Sequence, residues 1–139
     1  MKVYFVVVLI WLSSLLNGQN EIFGLWKAID DVDGQATSHI EIFEEDGRLH
    51  GKIAKILEGP DDALCDQCEG DKKDQPILGM EIIWDMELKG ANWKGGRILD
   101  PENGKTYKCK IKLNEDILEV RGYIGIPTLG RTQKWYRVK

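Results

Sequence analysis

Cys65-x-x-Cys68, together with Cys109, is the one constellation in this chain whose residue types and spacing suggest reactivity. A dithiol at that spacing serves redox exchange when it opens a helix after a strand, because the helix N-terminus stabilises the thiolate. No βαβ pattern surrounds residues 65–68. A structural zinc site would need two further ligands, and the remaining candidates, Cys109, His39 and His50, are not paired at metal-ligand spacing. The simplest reading is a Cys65–Cys68 disulfide that staples a long loop in an oxidising compartment, with the redox and zinc readings behind it. Cys109 falls in phase with Tyr107 and Ile111, as a buried, inert thiol would.

The remaining ionisable residues offer little chemistry. His39 and His50 run in phase with Glu41 and Lys52, so both are expected on exposed faces. Strand phase suggests no Ser-His-Asp arrangement. Asp30-Asp31 and Asp61-Asp62 sit in turn-like stretches where solvated carboxylates are ordinary, and Asp30, Asp31 and Asp33 lack the spaced ligand set of a calcium loop. No metal, cofactor or catalytic residue is expected, and the chain does not read as an enzyme.

A binding face is more legible. Arg131, Gln133 and Trp135 alternate along one strand and would set polar anchors beside an aromatic, with Tyr107 contributing from another strand. The inward orientation is favoured over the outward one because Thr132, Lys134 and Tyr136 would fill a core poorly. An inward arginine must meet a carboxylate, backbone carbonyls, water or an anionic ligand group. The expected ligand is therefore amphipathic, with an acidic head at Arg131 and an apolar body on Trp135.

These residues need a β scaffold, and the pattern supplies one. Tyr107-Lys108-Cys109-Lys110-Ile111-Lys112-Leu113 alternates strictly between apolar side chains and lysine, which puts one face on a core and the other in water. Residues 38–42 and 118–122 alternate likewise. Turn chemistry at 31–34, 45–47, 100–104 and 114–116 separates roughly eight strands, near 24–29, 37–44, 48–56, 78–85, 95–99, 105–113, 117–123 and 129–138. Short strands at hairpin spacing predict an all-β fold, a single antiparallel up-and-down β-barrel. In that topology the first and last strands are neighbours, which brings Trp26 towards Arg137. The Gly24-Leu25-Trp26 start resembles the Gly-x-Trp opening of lipocalins, and that resemblance implies that Arg137 covers Trp26 as a cation–π seal at the closed end. The alternative is that Trp26 is simply a core aromatic. Connections 30–36, 57–77, 100–104 and 124–128 then share the opposite end, where a site is expected.

Lys2 followed by the apolar run 3–12 and by Ser13, Ser14, Asn17 and Gly18 reads as a signal peptide over 1–18, leaving a single domain over 19–139. The run is too short for a spanning helix, so no transmembrane segment is expected in the mature chain. Losing Lys2 moves the net charge from −4 to −5, and basic residues are interspersed with acidic ones along the chain. That excludes nucleic acid as the natural partner. Export to a periplasm or the extracellular space follows.

Gly24-Leu25-Trp26, Gly51-Lys52-Ile53, Cys65-Asp66-Gln67-Cys68-Glu69-Gly70, Pro76-Ile77-Leu78-Gly79-Met80, Gly95-Gly96-Arg97-Ile98-Leu99-Asp100-Pro101, Gly104-Lys105-Thr106-Tyr107 and the glycine-rich C-terminal string resemble the exported bacterial family called domain of unknown function 2147. The resemblance covers nearly all of the mature chain. It implies an exported, lipocalin/calycin-like barrel and transfers no catalytic residue. Two functions are expected of such a chain: binding of a small amphipathic or apolar ligand at the barrel mouth, or a non-catalytic structural or interaction role in the cell envelope with a filled barrel.

Overall fold

Eight antiparallel strands close into a barrel in chain order. They are β1 (Gly24–Ile29), β2 (Ala36–Glu45), β3 (Arg48–Ile56), β4 (Glu81–Lys89), β5 (Asn92–Asp100), β6 (Lys105–Asn114), β7 (Ile117–Tyr123) and β8 (Gly130–Arg137). The computed structural model describes residues 21–139, so the signal segment expected over 1–18 lies outside the described residues. Closure comes from β1 pairing with β8, Trp26 opposite Arg137 and Lys27 opposite Tyr136. Period-two alternation does the positioning: in β6, Cys109 and Ile111 are buried while Lys108 and Lys112 are exposed. Among the described residues no helix is long and apolar enough to cross a membrane.

Two strands depart from expectation. β4 and β5 were expected over 78–85 and 95–99 with a loop between, but they run to Lys89 and from Asn92, joined by a tight turn in which Gly90 adopts a φ of 64°. Register slips explain the difference. β4 shifts twice against β3, between Leu49 and Gly51 and between Gly51 and Lys52, so that Ile82 and Ile83 are both buried and Asp85 takes a positive φ. β5 slips against β6 between Lys94 and Arg97. A bulge inserts one residue and breaks the alternation on which strand recognition depends.

The closed half of the barrel is filled by side chains. Trp26, Ile42, Leu49, Met86, Ile111 and Leu118 are all essentially without solvent contact. The Trp26 indole N–H donates to the Ile22 carbonyl at 2.9 Å, and the Arg137 guanidinium carbon lies 4.3 Å from the ring centroid. Arg137 also donates to the Glu21 carbonyl at 2.6 Å. Such a stacked, hydrogen-bonded arginine closes the barrel end and contributes on the order of 1–2 kcal/mol.

At the open end, the connection 57–80 carries a 3-10 turn, Gly70–Lys72, and an isolated bridge between Leu64 and Pro76. Cys65 and Cys68 are joined by a disulfide, both buried. Lys72 reaches over the Trp84 ring at 4.0 Å, and the Cys65 sulfur lies 3.7 Å from the Pro101 carbonyl oxygen. Gly104 permits this contact. Its φ is 71°, and a Cβ there would sit 1.8 Å from the Gln67 carbonyl oxygen, so only glycine lets the β5–β6 turn lie against the cysteine loop.

Candidate ligand cavity at the barrel mouth

The open half of the barrel holds a cavity of about 800 Å³. Its inner wall is built from the inward positions of the strands: Ala28 and Ser38 on β1 and β2, Ile40, Ile53, Ile82, Ile98, Leu99 and Val120. All four long connections at that end contribute to its rim, through Asp30 to Val32, Glu58 and Ala63, Asp100 to Asn103, and Ile124 with Leu129. The volume falls within the range of small-molecule sites, roughly 300–1,000 Å³. A mainly aliphatic wall below a polar rim suits a ligand with an apolar body and a polar end.

The residues expected from sequence meet here at different depths. Trp135 is buried and lines the cavity, its indole N–H donating to the Gln133 side-chain oxygen at 2.9 Å. Gln133 lies opposite Val120, and Arg131 opposite Gly122, so the three share the inner phase of β8. Tyr107 lines the wall, and its hydroxyl accepts a hydrogen bond from Asn103 at 3.0 Å. It also borders a smaller cleft of about 350 Å³ between the cysteine loop and the β5–β6 turn.

Arg131 lies at the mouth, next to the β7–β8 turn and among the residues that line the cavity, but its charge is already matched. Its side chain is 64% exposed at the rim, where Nε donates to Asp31 Oδ2 at 2.8 Å and Nη2 to Oδ1 at 2.6 Å. Bidentate pairing with a carboxylate neutralises the cation that was expected to receive an acidic ligand head. The pair shifts both groups: the hydrogen bond from Arg131 holds the Asp31 carboxyl below its ordinary value against the opposing effect of burial, and Asp31 raises the guanidinium's pKa. Gln133 adds to the lowering at Asp31. Trp135 and Gln133 on the wall and Asp31 with Arg131 at the rim thus form two hydrogen-bonded pairs along one side of the cavity.

Sequence reasoning passed over the carboxylates that dominate the rim. Asp30, Asp31, Glu58, Asp100 and Glu102 line the cavity with Arg131 as the one cation among its lining residues. Burial first, and then Asp100, Asp30, Glu58 and Asp33, push the Glu102 carboxyl above its ordinary pKa. Asp30 and Asp100 each do turn chemistry as expected, Asp30 Oδ1 accepting from Val32 N at 2.7 Å and Asp100 Oδ1 from Glu102 N at 2.9 Å. The missed signal was their joint placement: three acidic turns assigned to one end of an up-and-down barrel must converge.

The histidines separate. His39 is half-buried, and burial together with Lys55 and Lys27 lowers its pKa. His50 was expected in solvent but is only 7% exposed. Phe43 stacks on it with ring centroids 5.6 Å apart, and Nδ1 contacts Glu81 Oε1. The bulges of β4 fold that strand around the imidazole, which strand phase alone does not foresee. Glu45 completes a group whose ligand atoms lie within 4.8 Å of one another, on the outer face and away from the cavity lining. Cys109 is fully buried, and burial pushes its thiol up to about 12, which removes it as a nucleophile at neutral pH.

The sequence profile of a family described as an uncharacterized protein conserved in bacteria (DUF2147) matches residues 24–137. A solved structure described as protein HP1028 from the human pathogen Helicobacter pylori, stated to belong to the lipocalin family, superposes with a TM-score of 0.76 at 20% identity, over 86% of this chain and 84% of that one. At that identity the likeness shows the fold. No curated protein matches the chain.

Proposed function

We propose that this chain, which belongs to the DUF2147 family and folds as a lipocalin-like barrel, is an exported carrier or receptor that binds a small amphipathic or apolar molecule in the mouth of its barrel. The observation that supports this reading is the cavity of about 800 Å³, open at the loop-rich end and walled by aliphatic side chains with Trp135 among them. A fold that existed only to present an outer surface would gain stability by filling that space, since unfilled apolar volume forfeits packing. Arg131, Gln133, Trp135 and Tyr107 are the proposed contacts. Export is supported by the expected signal segment and by the Cys65–Cys68 disulfide, a bond that persists in oxidising compartments.

A neutral, environment-sensitive dye such as N-phenyl-1-naphthylamine tests the binding reading. Saturable fluorescence enhancement at one site per chain is expected, and Gly122→Leu should abolish it while the protein stays folded. Gly122 suits the purpose because its added Cβ would stand 3.6 Å from Ile98 and Tyr107, ordinary contact, with the rest of the side chain directed across the cavity. Absence of enhancement by the folded wild type would overturn the reading.

A second reading, a non-catalytic envelope interaction protein, draws on one observation. Val32, Ile124, Ile126 and Leu129 are exposed aliphatic side chains on connections of the open end. Such exposure suits a contact surface. The unfilled half of the barrel ranks it second.

A further inference from the structure

The cavity accounts for an apolar ligand body, but the charge at its entrance is the opposite of what an acidic head requires. Asp30, Glu58, Asp100 and Glu102 come from three separate connections and line the same mouth. Among the described residues none of the four forms an ion pair. The rim's guanidinium is already held by Asp31 in bidentate fashion. A carboxylate-bearing ligand would enter a field of like charges whose one cation is occupied, whereas a cation would meet four uncompensated carboxylates at the edge of a low-dielectric wall.

Resting on the cavity reading above, we infer that the site selects amphiphiles with a cationic head, an alkyl ammonium or a comparable organic cation, the head held among Asp30, Glu58, Asp100 and Glu102 and the apolar body directed down towards Trp135. The turn geometry leaves room for such a head. Asp30 and Asp100 each commit Oδ1 to backbone N–H groups of their own turn, and among the described residues Oδ2 of neither accepts a hydrogen bond. Burial first, and then the neighbouring carboxylates Asp100, Asp30, Glu58 and Asp33, raise the Glu102 pKa, and a bound cation would relieve the part that the carboxylates contribute. The expected gradient is therefore cation over neutral over anion for one and the same alkyl chain.

Calorimetric titration of the disulfide-containing protein with decyltrimethylammonium, decanol and decanoate, each below its micellisation limit, tests this. Decyltrimethylammonium should bind about tenfold more tightly than decanol at low salt, with decanoate weakest, and the advantage should shrink several-fold as ionic strength rises to about 0.2 M. Replacing Glu58→Gln and Glu102→Gln together should bring the cation to the level of decanol while leaving decanol unchanged. Equal binding of the three probes, or preference for decanoate, would overturn the head-group inference and leave the cavity reading standing. Failure of all three to bind folded protein would remove both. Should the double variant not fold, salt-independent binding of the cation by the wild type would itself overturn the inference.

Discussion

Arg131 and Asp31, separated by 100 residues in the chain, meet at the barrel mouth through two parallel hydrogen bonds of 2.8 and 2.6 Å. The pair ties the last strand to the β1–β2 connection and spans one side of the cavity entrance. Because the folded protein holds Asp31 below its ordinary value of 3.8, the pair stabilises the fold above that pH, and the contribution is lost as pH falls through the lowered folded value. Exposure and salt keep the contribution modest.

Asp31→Asn and Arg131→Gln should each lower the melting temperature slightly at pH 7, and the double variant should lose little more than either single one. The differences should vanish in acid. Melting curves across pH check this, and fully additive losses would show the two side chains to be uncoupled.

At the other end, Arg137→Ala should destabilise the barrel by about 1–2 kcal/mol through loss of the stack on Trp26 and of the bond to Glu21. For a domain of this size that is a fall of roughly 4–10 °C in melting temperature. Arg137→Lys should recover only part of it, because an ammonium lacks the planar face that lies on the indole. Dye binding in the cavity should be unchanged by either substitution.

The meeting of Trp26 and Arg137 was legible in the chain, because alternation counts strands and up-and-down order dictates that the first and last lie together. The same arithmetic placed the four long connections at one mouth and put Arg131, Gln133 and Trp135 in one phase. It failed where residues are inserted rather than alternated: bulges concealed the length of β4 and buried His50. It also did not show which carboxylate Arg131 would meet, since Asp31 lies 100 residues away in the chain. Arg131 and Trp135 share a phase, yet a few residues along the strand turn a buried tryptophan into an exposed, paired arginine. The acidic character of the mouth was visible only as separate turns, each with an adequate local explanation.

The cysteines should report two distinct states. Native protein should show no thiol reactive towards Ellman's reagent at pH 8, unfolding without reductant should reveal one, and reduction in denaturant all 3. Cys109 is silent in the first condition because burial holds its thiol at about 12, leaving almost no thiolate. Rapid native labelling would mean that the barrel opens locally around β6.

Gly104→Ala should damage the mouth more than an exposed turn position suggests. The added Cβ would collide with the Gln67 carbonyl, and the positive φ is itself unfavourable to alanine, so the cysteine loop must move away from the β5–β6 turn. Limited proteolysis should then cut within 57–80 much faster than in the wild type. An unchanged cleavage pattern would show that the two segments do not depend on each other.

Glu102 carries the opposite pH signature to Asp31. Burial and the neighbouring carboxylates raise its folded pKa above the ordinary 4.5, so the folded state holds this proton more tightly than the unfolded state does. Stability from this group is accordingly lost as pH rises from the ordinary value through the raised one. Glu102→Gln, which removes the charge and keeps the shape, should therefore raise the melting temperature relative to wild type at pH 7 and make no difference below pH ~4. Added salt should narrow the gap at pH 7 by screening Asp100, Asp30 and Glu58. A variant less stable than wild type at neutral pH would mean that the Glu102 carboxylate has a favourable partner, and that the mouth is not the field of like charges its lining implies.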